Sequence, residues 1–310
     1  MKAPLLVTGA NSFIGSNLIR YLVRRSECRI VATYRNNKEA LINPFPNHLE
    51  YVPCDLSNIN SVSKIFKTYD IKNIIHLAAA IPGKSDQNCA TILERDNIFS
   101  LKNLLELAKD RGCKRFVFTS SISVYEGLEN SKDELLESLK LSPKSIYGQS
   151  KLNGEKLLSQ YSGVMLKGVP LRFSGVHGPG KLKGVVYNFI KAALAQAPLN
   201  VLEPNSCFRF LFVDDAIQSI LLALNKDLTD SYCCYNVAGK ENLSILELAK
   251  LVVKITKSKS ILNVAENKAF RNQVLSLKKV CADFDFMPSP LLQNLLSYLE
   301  FLKEKKEGCV

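Results

Sequence analysis

No stretch of this 310-residue sequence stays apolar for the ~18 residues that a membrane-spanning helix requires, so no membrane association is expected. Histidine is scarce: His48, His76 and His177 are the only three, none at metal-ligand spacing, and a metal site is not expected. His76 reads as the last core residue of a strand. Nine cysteines are present without a Cys-x-x-Cys pair, and the odd number argues for reduced thiols. The first apolar run ends after a few residues at Thr8 and Gly9, which makes it a strand and not a secretory signal, so a cytoplasmic location is expected. Cys309 is second from last, so a prenylation box is not expected. Tryptophan is absent, and neither an internal repeat nor a low-complexity linker is visible. With 46% hydrophobic and 8% aromatic residues, the composition is that of a globular protein of one or two domains.

Charge is the one marked imbalance. The formal net charge is +12, from 41 basic against 29 acidic residues, which favours polyanionic ligands. The basic residues are dispersed, with small clusters at Arg24 and Arg25, at Lys181 and Lys183, and at 303–306. Dispersed charge is ordinarily a solvated surface, so nucleic-acid binding is not expected.

At the start of the chain, the apolar run APLLV leads into TGANSFIG and then into the periodic stretch SNLIRYLVRR. A strand, a glycine turn and a helix follow from that order. Gly9 permits the tight turn, Gly15 permits close packing of the helix, and the amides that open the helix face an anion such as a pyrophosphate. Over residues 1–174, short apolar strands (LLV, RIVATY, LEYV, NIIHLA, RFVFTS, VMLKGVPLRF) alternate with helices predicted at 13–25, 58–69, 91–110 and 145–161. This is the pattern of an α/β fold, a Rossmann-type doubly wound parallel sheet. After GVHGPG the alternation loosens into helices predicted at 184–196, 214–225, 244–256 and 288–303. Residues 175–310 are read as a smaller C-terminal substrate-binding region, some segments of which return to the sheet. Reactive residues belong at the carboxyl ends of the strands, where Gly9, Asp55, Ala79 and Ser121 fall.

The segments FTSSISVYE and YGQSK supply a hydroxyl, a phenol and an ammonium: Ser121, Tyr147 and Lys151. Tyr147 and Lys151 are four apart and the following run LNGEKLLSQY reads as helix, so both leave one face. A free phenol titrates near ~10, and a neighbouring ammonium is expected to favour the phenolate and lower that value. Tyr147 is then placed to move a proton, Lys151 to hold its charge, and Ser121 to hydrogen-bond a substrate oxygen. An ordinary exposed helix pair has the same spacing.

Together with CDLSN at 54–58, HLAA at 76–79, LRFSGVHGPG at 171–180 and FLFVDDAIQSIL at 210–221, these segments resemble the extended short-chain dehydrogenase/reductases, the NAD(P)-dependent epimerases, dehydratases and reductases that act largely on nucleotide sugars. The resemblance covers most of the chain. It implies that the cofactor is held by Gly9, Asn11, Ser12, Phe13, Ile14 and Gly15 of the first turn, by Asp55 and Leu56 beside the adenine, by Ala78, Ala79 and Ala80 near the nicotinamide, and by Tyr147 and Lys151. Asp55 has the alternative role of capping the helix that follows. Asn97 resembles an asparagine beneath the active site that positions the lysine or a water; an exposed helix position is the alternative. A homodimer through the helices at 91–110 and 145–161 is also implied. Lys84, Ser123 and Arg209 are the substrate candidates.

Four positions refine the reading. The strand RIVATY ends at Tyr34 and Arg35, where NAD-preferring folds place an acidic residue, and a guanidinium there suits a 2′-phosphate. NADP(H) is therefore expected ahead of NAD(H), with NAD(H) possible. Ser12 replaces the middle glycine of the family's TGxxGxxG pattern, which predicts weakened and not abolished phosphate binding. Ser121 is followed by Ile122, Ser123 and Val124, where 4,6-dehydratases of the family carry an Asp-Glu pair, so elimination of water lacks its acid and base. Phe208 stands where nucleotide-sugar members carry a diphosphate-binding arginine, and Arg209, one place later, points to the opposite strand face. The expectation is an NAD(P)-dependent oxidoreductase that reduces a keto group of a nucleotide-linked sugar. The alternatives are a nucleotide-sugar 4-epimerase with tightly bound NAD and, in another class, a non-catalytic NAD(P)-binding sensor.

Overall fold

Strands that are apolar on both faces bury their whole length when helices cover the sheet on each side. The computed structural model, which describes residues 3–25, 28–36, 46–81, 88–128, 133–266 and 270–307, has this at its centre. All four residues of β1 (Leu5–Thr8) and all five of β2 (Ile30–Tyr34) are buried. β1 pairs in parallel with β2 and with β4 (Asn73–His76); β2 continues to β3 (Leu49–Pro53), and β4 to β5 (Arg115–Ser121), also in parallel. The remaining strands are β6 (Lys167–Phe173), β7 (Val176–His177), β8 (Leu199–Val201), β9 (Cys207–Phe208), β10 (Leu211–Phe212), β11 (Tyr235–Val237), β12 (Leu243–Ser244), β13 (Leu262–Val264) and β14 (Asn272–Gln273). The main sheet has seven strands in the order β11-β6-β5-β4-β1-β2-β3. The order reverses at β1, the switch at which doubly wound sheets bind ligands.

Two compact units divide the chain. The first comprises Met1–Glu126, Lys140–Arg172 and Ile217–Tyr235, and the second comprises Gly127–Leu139, Phe173–Ala216 and Asn236–Val310. The chain crosses between units after Arg172, and two short segments, 127–139 and 217–235, change sides as well.

The helices of the first unit are α1 (Phe13–Arg25), α2 (Ile59–Thr68), α3 (Cys89–Leu93), α4 (Ser100–Asp110) and α5 (Ile146–Tyr161). Leu101, Leu104 and Leu105 of α4 pack with Ile65 and Phe66 of α2 and with Phe116 and Phe118 of β5 in one core. The stretch read as a single helix over 91–110 is helical from Cys89 to Asp110, but Glu94–Phe99 forms a π turn within it. That widened turn buries the consecutive residues Asp96 and Asn97, which an α-helical repeat would splay apart.

In the second unit, α6 (Val185–Leu194), α8 (Ile245–Thr256) and α10 (Leu291–Glu307) enclose a core that includes Phe189, Ile190, Leu248, Val252 and Tyr298. Ser244 and Glu247 close a capping box at the start of α8. α7 (Val213–Asn225) begins with Asp214 and Asp215 in its first turn, and the Asp215 carboxylate accepts hydrogen bonds from the Ser289 amide and hydroxyl. A short helix, α9 (Lys278–Phe284), precedes α10 where the sequence pattern predicts one helix alone. Among the described residues, no helix is long and apolar enough to cross a membrane.

Candidate active site

The first turn is shaped by contact. Gly9 has φ of 71°, and a Cβ there would lie 2.7 Å from the Ala78 amide nitrogen; one on Gly15 would lie 2.1 Å from the Gly9 carbonyl oxygen. Only bare backbone lets α1 and the segment after β4 approach this closely. Phe13 and Ile14 open α1, whose first turn has no acidic residue to oppose an anion. Ser12 does more than fill space, since its Oγ accepts from the Gly15 amide at 3.1 Å and so takes up one of the donors that open the helix.

Beside the turn lies a cleft of about 160 Å³ lined by Gly9, Asn11 and Ser12, by Asp55 and Leu56, and by Ala78, Ala79 and Ala80. The predicted cofactor residues after three separate strands therefore meet on one surface, beside the amides that open α1, a donor set that suits an anion such as a dinucleotide's phosphates. Asp55 does not cap α2. Asn58 does, accepting from the amides of Asn60 and Ser61, whereas Asp55 Oδ1 accepts from the Ser57 amide at 3.0 Å. Asn11 Nδ2 donates to the Asn36 carbonyl at 2.5 Å, tying the turn to the end of β2.

Arg35 also lines this cleft, and it has a partner there. Its guanidinium lies 2.8 Å from Asp96 Oδ2, and Arg95 grips the same carboxylate at 2.7 Å through Nε. Burial alone would raise the Asp96 carboxyl, yet hydrogen bonds from Arg95 and Arg35 hold it below the ordinary carboxylate range. Asn97, the next residue, accepts from the Ala80 amide at 2.7 Å and donates to the Ser150 hydroxyl at 3.1 Å. Its partners are thus the backbone of the segment after β4 and a neighbour of the lysine; it does not bond Lys151 itself.

Ser121 ends β5 in extended backbone and caps a single 3-10 turn (Ile122–Tyr125), accepting from the Ser123 amide at 3.1 Å. Ser123 is in this turn, partly buried. α5 starts beyond Ser145, whose hydroxyl accepts from the Gly148 amide at 3.0 Å. The Glu126 carboxylate takes both the Ser145 amide and hydroxyl, each at 2.7 Å, and so fastens the start of α5 to the end of the Ser121 turn. Tyr147 is thereby set against Ser121, and the two side chains hydrogen-bond.

One turn on, Lys151 is 4% exposed. Its Nζ donates to the Thr119 carbonyl at 2.8 Å and lies 5.9 Å from the centre of the Tyr147 ring. The ammonium therefore sits over the ring face and does not depress the phenol. Burial instead pushes Tyr147 up to about 12, with the Ser121 hydrogen bond opposing. Spacing alone predicts the reverse because it carries no information on desolvation. Burial likewise lowers Lys151 to about 8, against the pull of Glu155.

Under the trio lies a buried network absent from the sequence reading. Glu155 is one turn beyond Lys151 and accepts from Arg172 Nη2 at 2.7 Å and from the Ser120 hydroxyl at 2.5 Å; Arg172 also donates to the Tyr125 hydroxyl at 2.7 Å. Arg172 is a strand brace. The i, i+4 spacing of Lys151 and Glu155 was the available signal. His76 closes β4, buried, with Nδ1 2.7 Å from the Thr8 hydroxyl, and burial lowers it to about 3.

Lys84 lies outside the described residues. Arg209, in the second unit, donates to Glu134 at 2.8 Å and to the Lys240 carbonyl at 2.5 Å. Its neighbour Phe208 lines a separate cavity of about 520 Å³ with Phe189, Leu199, Ile245 and the Glu203–Arg271 ion pair. Consecutive residues at a strand end thus point apart, as the register argument requires. No group of His, Cys, Asp and Glu that could hold a metal ion occurs among the described residues.

Residues 5–238 match the family described as NAD dependent epimerase/dehydratase. The chain is 30% identical to the Bacillus subtilis (strain 168) protein named uncharacterized UDP-glucose epimerase YtcB, over 86% of each chain. It is 28% identical to a UDP-glucuronate 4-epimerase of Thermodesulfobacterium geofontis, over 82% of this chain and 81% of that one. Among solved structures it is similar to a UDP-glucuronic acid 4-epimerase of Bacillus cereus in complex with NAD (TM-score 0.83, 27% identity, 97% and 99% of the two chains). The glycine turn, the cleft beside it and these likenesses agree, and the chain belongs to the NAD-dependent epimerase/dehydratase family.

Proposed function

We propose that the protein is a cytoplasmic NAD(P)-dependent oxidoreductase that reduces a keto group on the sugar of a nucleotide-linked substrate. The observation that carries this reading is the meeting of Ser121 and Tyr147 at the end of β5, with buried Lys151 beneath the ring. A bound nicotinamide supplies the hydride. Ser121 donates to the substrate oxygen and polarises it, and Tyr147 delivers the proton that the reduced oxygen takes up. Lys151 holds positive charge over the ring face, fixed there by the Thr119 carbonyl, and is the group that would hold the ribose of a bound cofactor. Burial holds the phenol protonated, the form that gives a proton to a reduced carbonyl oxygen.

A second reading, 4-epimerisation with tightly held NAD, is favoured by the names and NAD complex of the relatives above. Dehydration is disfavoured by Ile122 and Ser123, which offer no carboxyl after Ser121. The purified protein incubated with NADPH and a panel of keto-sugar nucleotides is expected to consume the reduced cofactor. Oxidised NAD carried through gel filtration, with interconversion of 4-hydroxyl epimers and no net consumption, would favour the epimerase. Dinucleotide binding with neither activity would leave a sensor.

For the cofactor, Arg35 supports NADP(H) ahead of NAD(H), the half-exposed guanidinium being suited to a 2′-phosphate. Lys84, Ser123 and Arg209 stay in the reading as substrate contacts, with Arg209 acting only on release from Glu134. The assembly is proposed as a homodimer through the helical stretch 91–110 and α5, where Phe99 of the π turn and Ile146 of α5 are each 48% exposed. Sedimentation equilibrium is expected to give twice the chain mass, and a monomer at micromolar concentration would end that part.

A further inference from the structure

We infer that Asp96 sets the balance between NADP(H) and NAD(H) by competing for Arg35. The inference rests on the cofactor reading above. Both residues line the cleft beside the glycine turn, one after β2 and the other on the π turn. The Asp96 carboxylate is 6% exposed and Arg35 is 50% exposed, so the acid is fixed and the base is the partner free to swing. Arg35 contributes one contact, Nη1 to Oδ2 at 2.8 Å. Arg95 contributes two, Nε to Oδ1 at 2.7 Å and Nη2 to Oδ2 at 3.2 Å.

That asymmetry decides what happens when a 2′-phosphate arrives at the end of β2, the place where doubly wound folds read the ribose. Arg35 can leave for the phosphate while Arg95 keeps the buried carboxylate paired. The cost of the exchange is one charge-assisted contact and the repulsion between carboxylate and phosphate. An unphosphorylated ribose asks for neither, and Arg35 stays where it is. Asp96 thus restrains a preference that Arg35 alone would make strong. The π turn is what brings this about, since it buries Asp96 toward Arg35 and Asn97 toward Ala80 from adjacent positions.

The test is the ratio of dissociation constants for NADPH and NADH, measured by calorimetric titration of the purified protein without substrate. Asp96→Asn is expected to move the ratio about tenfold toward NADPH. A ratio within about twofold of the wild type, or equal weakening of both ligands, would show a structural role only and overturn the inference. Arg35→Met, at a half-exposed position whose folding is not at issue, gives an independent arm. With the carboxylate still facing the phosphate, that variant is expected to favour NADH about tenfold, whereas indifference between the two ligands would overturn the inference. If the wild type binds neither dinucleotide, the cofactor reading itself falls, and a wild type that binds either one keeps the two failures distinct.

Discussion

Tyr147→Phe is expected to lower turnover by about 10² to 10⁴ while leaving dinucleotide affinity within about twofold. The ring stays, packed against the Lys151 ammonium; only the hydroxyl that bonds Ser121 is removed. The direction of the proton gives a second signature. With the phenol pushed up to about 12, Tyr147 is protonated throughout the neutral range, so the rate of carbonyl reduction is expected to be flat between about pH 5 and 7, below the value near 8 at which Lys151 gives up its charge. Oxidation of the alcohol needs the phenolate, and its rate is expected to climb with pH over the same interval. Stopped-flow measurement of both directions checks this, and a variant turning over within tenfold of the wild type would remove Tyr147 from the chemistry.

Glu155→Ala is expected to cost about 3–5 kcal/mol of stability, because it strands the buried Arg172 guanidinium without its counter-charge. Arg172 and Glu155 have side chains 6% and 3% exposed, so neither solvent nor salt can stand in for the missing partner. Ser120 loses its acceptor in the same step. At roughly 2–4 °C per kcal/mol for a chain of this size, a fall in Tm of roughly 10 °C should be visible by scanning calorimetry. Replacing both members by methionine should recover most of the loss, since an apolar pair of similar volume avoids the desolvation that the ion pair bears. A single variant within 1 kcal/mol of the wild type would mean that Arg172 finds another partner.

What the sequence made legible was local. Gly9 and Gly15 define the first turn through contacts with near neighbours in the chain and with the segment after β4, and α1 was read at its observed bounds. Ser145, Tyr147 and Lys151 lie on one helix, so helical spacing alone brings the phenol and ammonium together. The partnership of Arg35 with Asp96 joins residues on separate elements, and that of Glu155 with Arg172 joins a helix to a strand; no short-range pattern encodes either. The π turn escaped because it leaves the apolar spacing of Leu101, Leu104 and Leu105 intact on its far side. The direction of the Tyr147 shift escaped because burial is a property of the packed fold. Asn97 is buried and not an exposed helix position, and its partners, the Ala80 amide and the Ser150 hydroxyl, depended on where those residues came to rest.

The seven-stranded sheet also imposes a timetable on biosynthesis. β6 leaves the ribosome with one flank paired to β5, but its other neighbour, β11, is encoded only after residues 174–234 have been translated. At roughly 5–20 residues per second, that interval lasts several seconds. Through it, the edge that β11 will cover presents unpaired backbone N–H and C=O groups, on a strand of which six of the seven residues end up buried. A nascent chain stalled in this stretch is therefore the form of the protein most in need of a chaperone, and the form most prone to join another copy of itself.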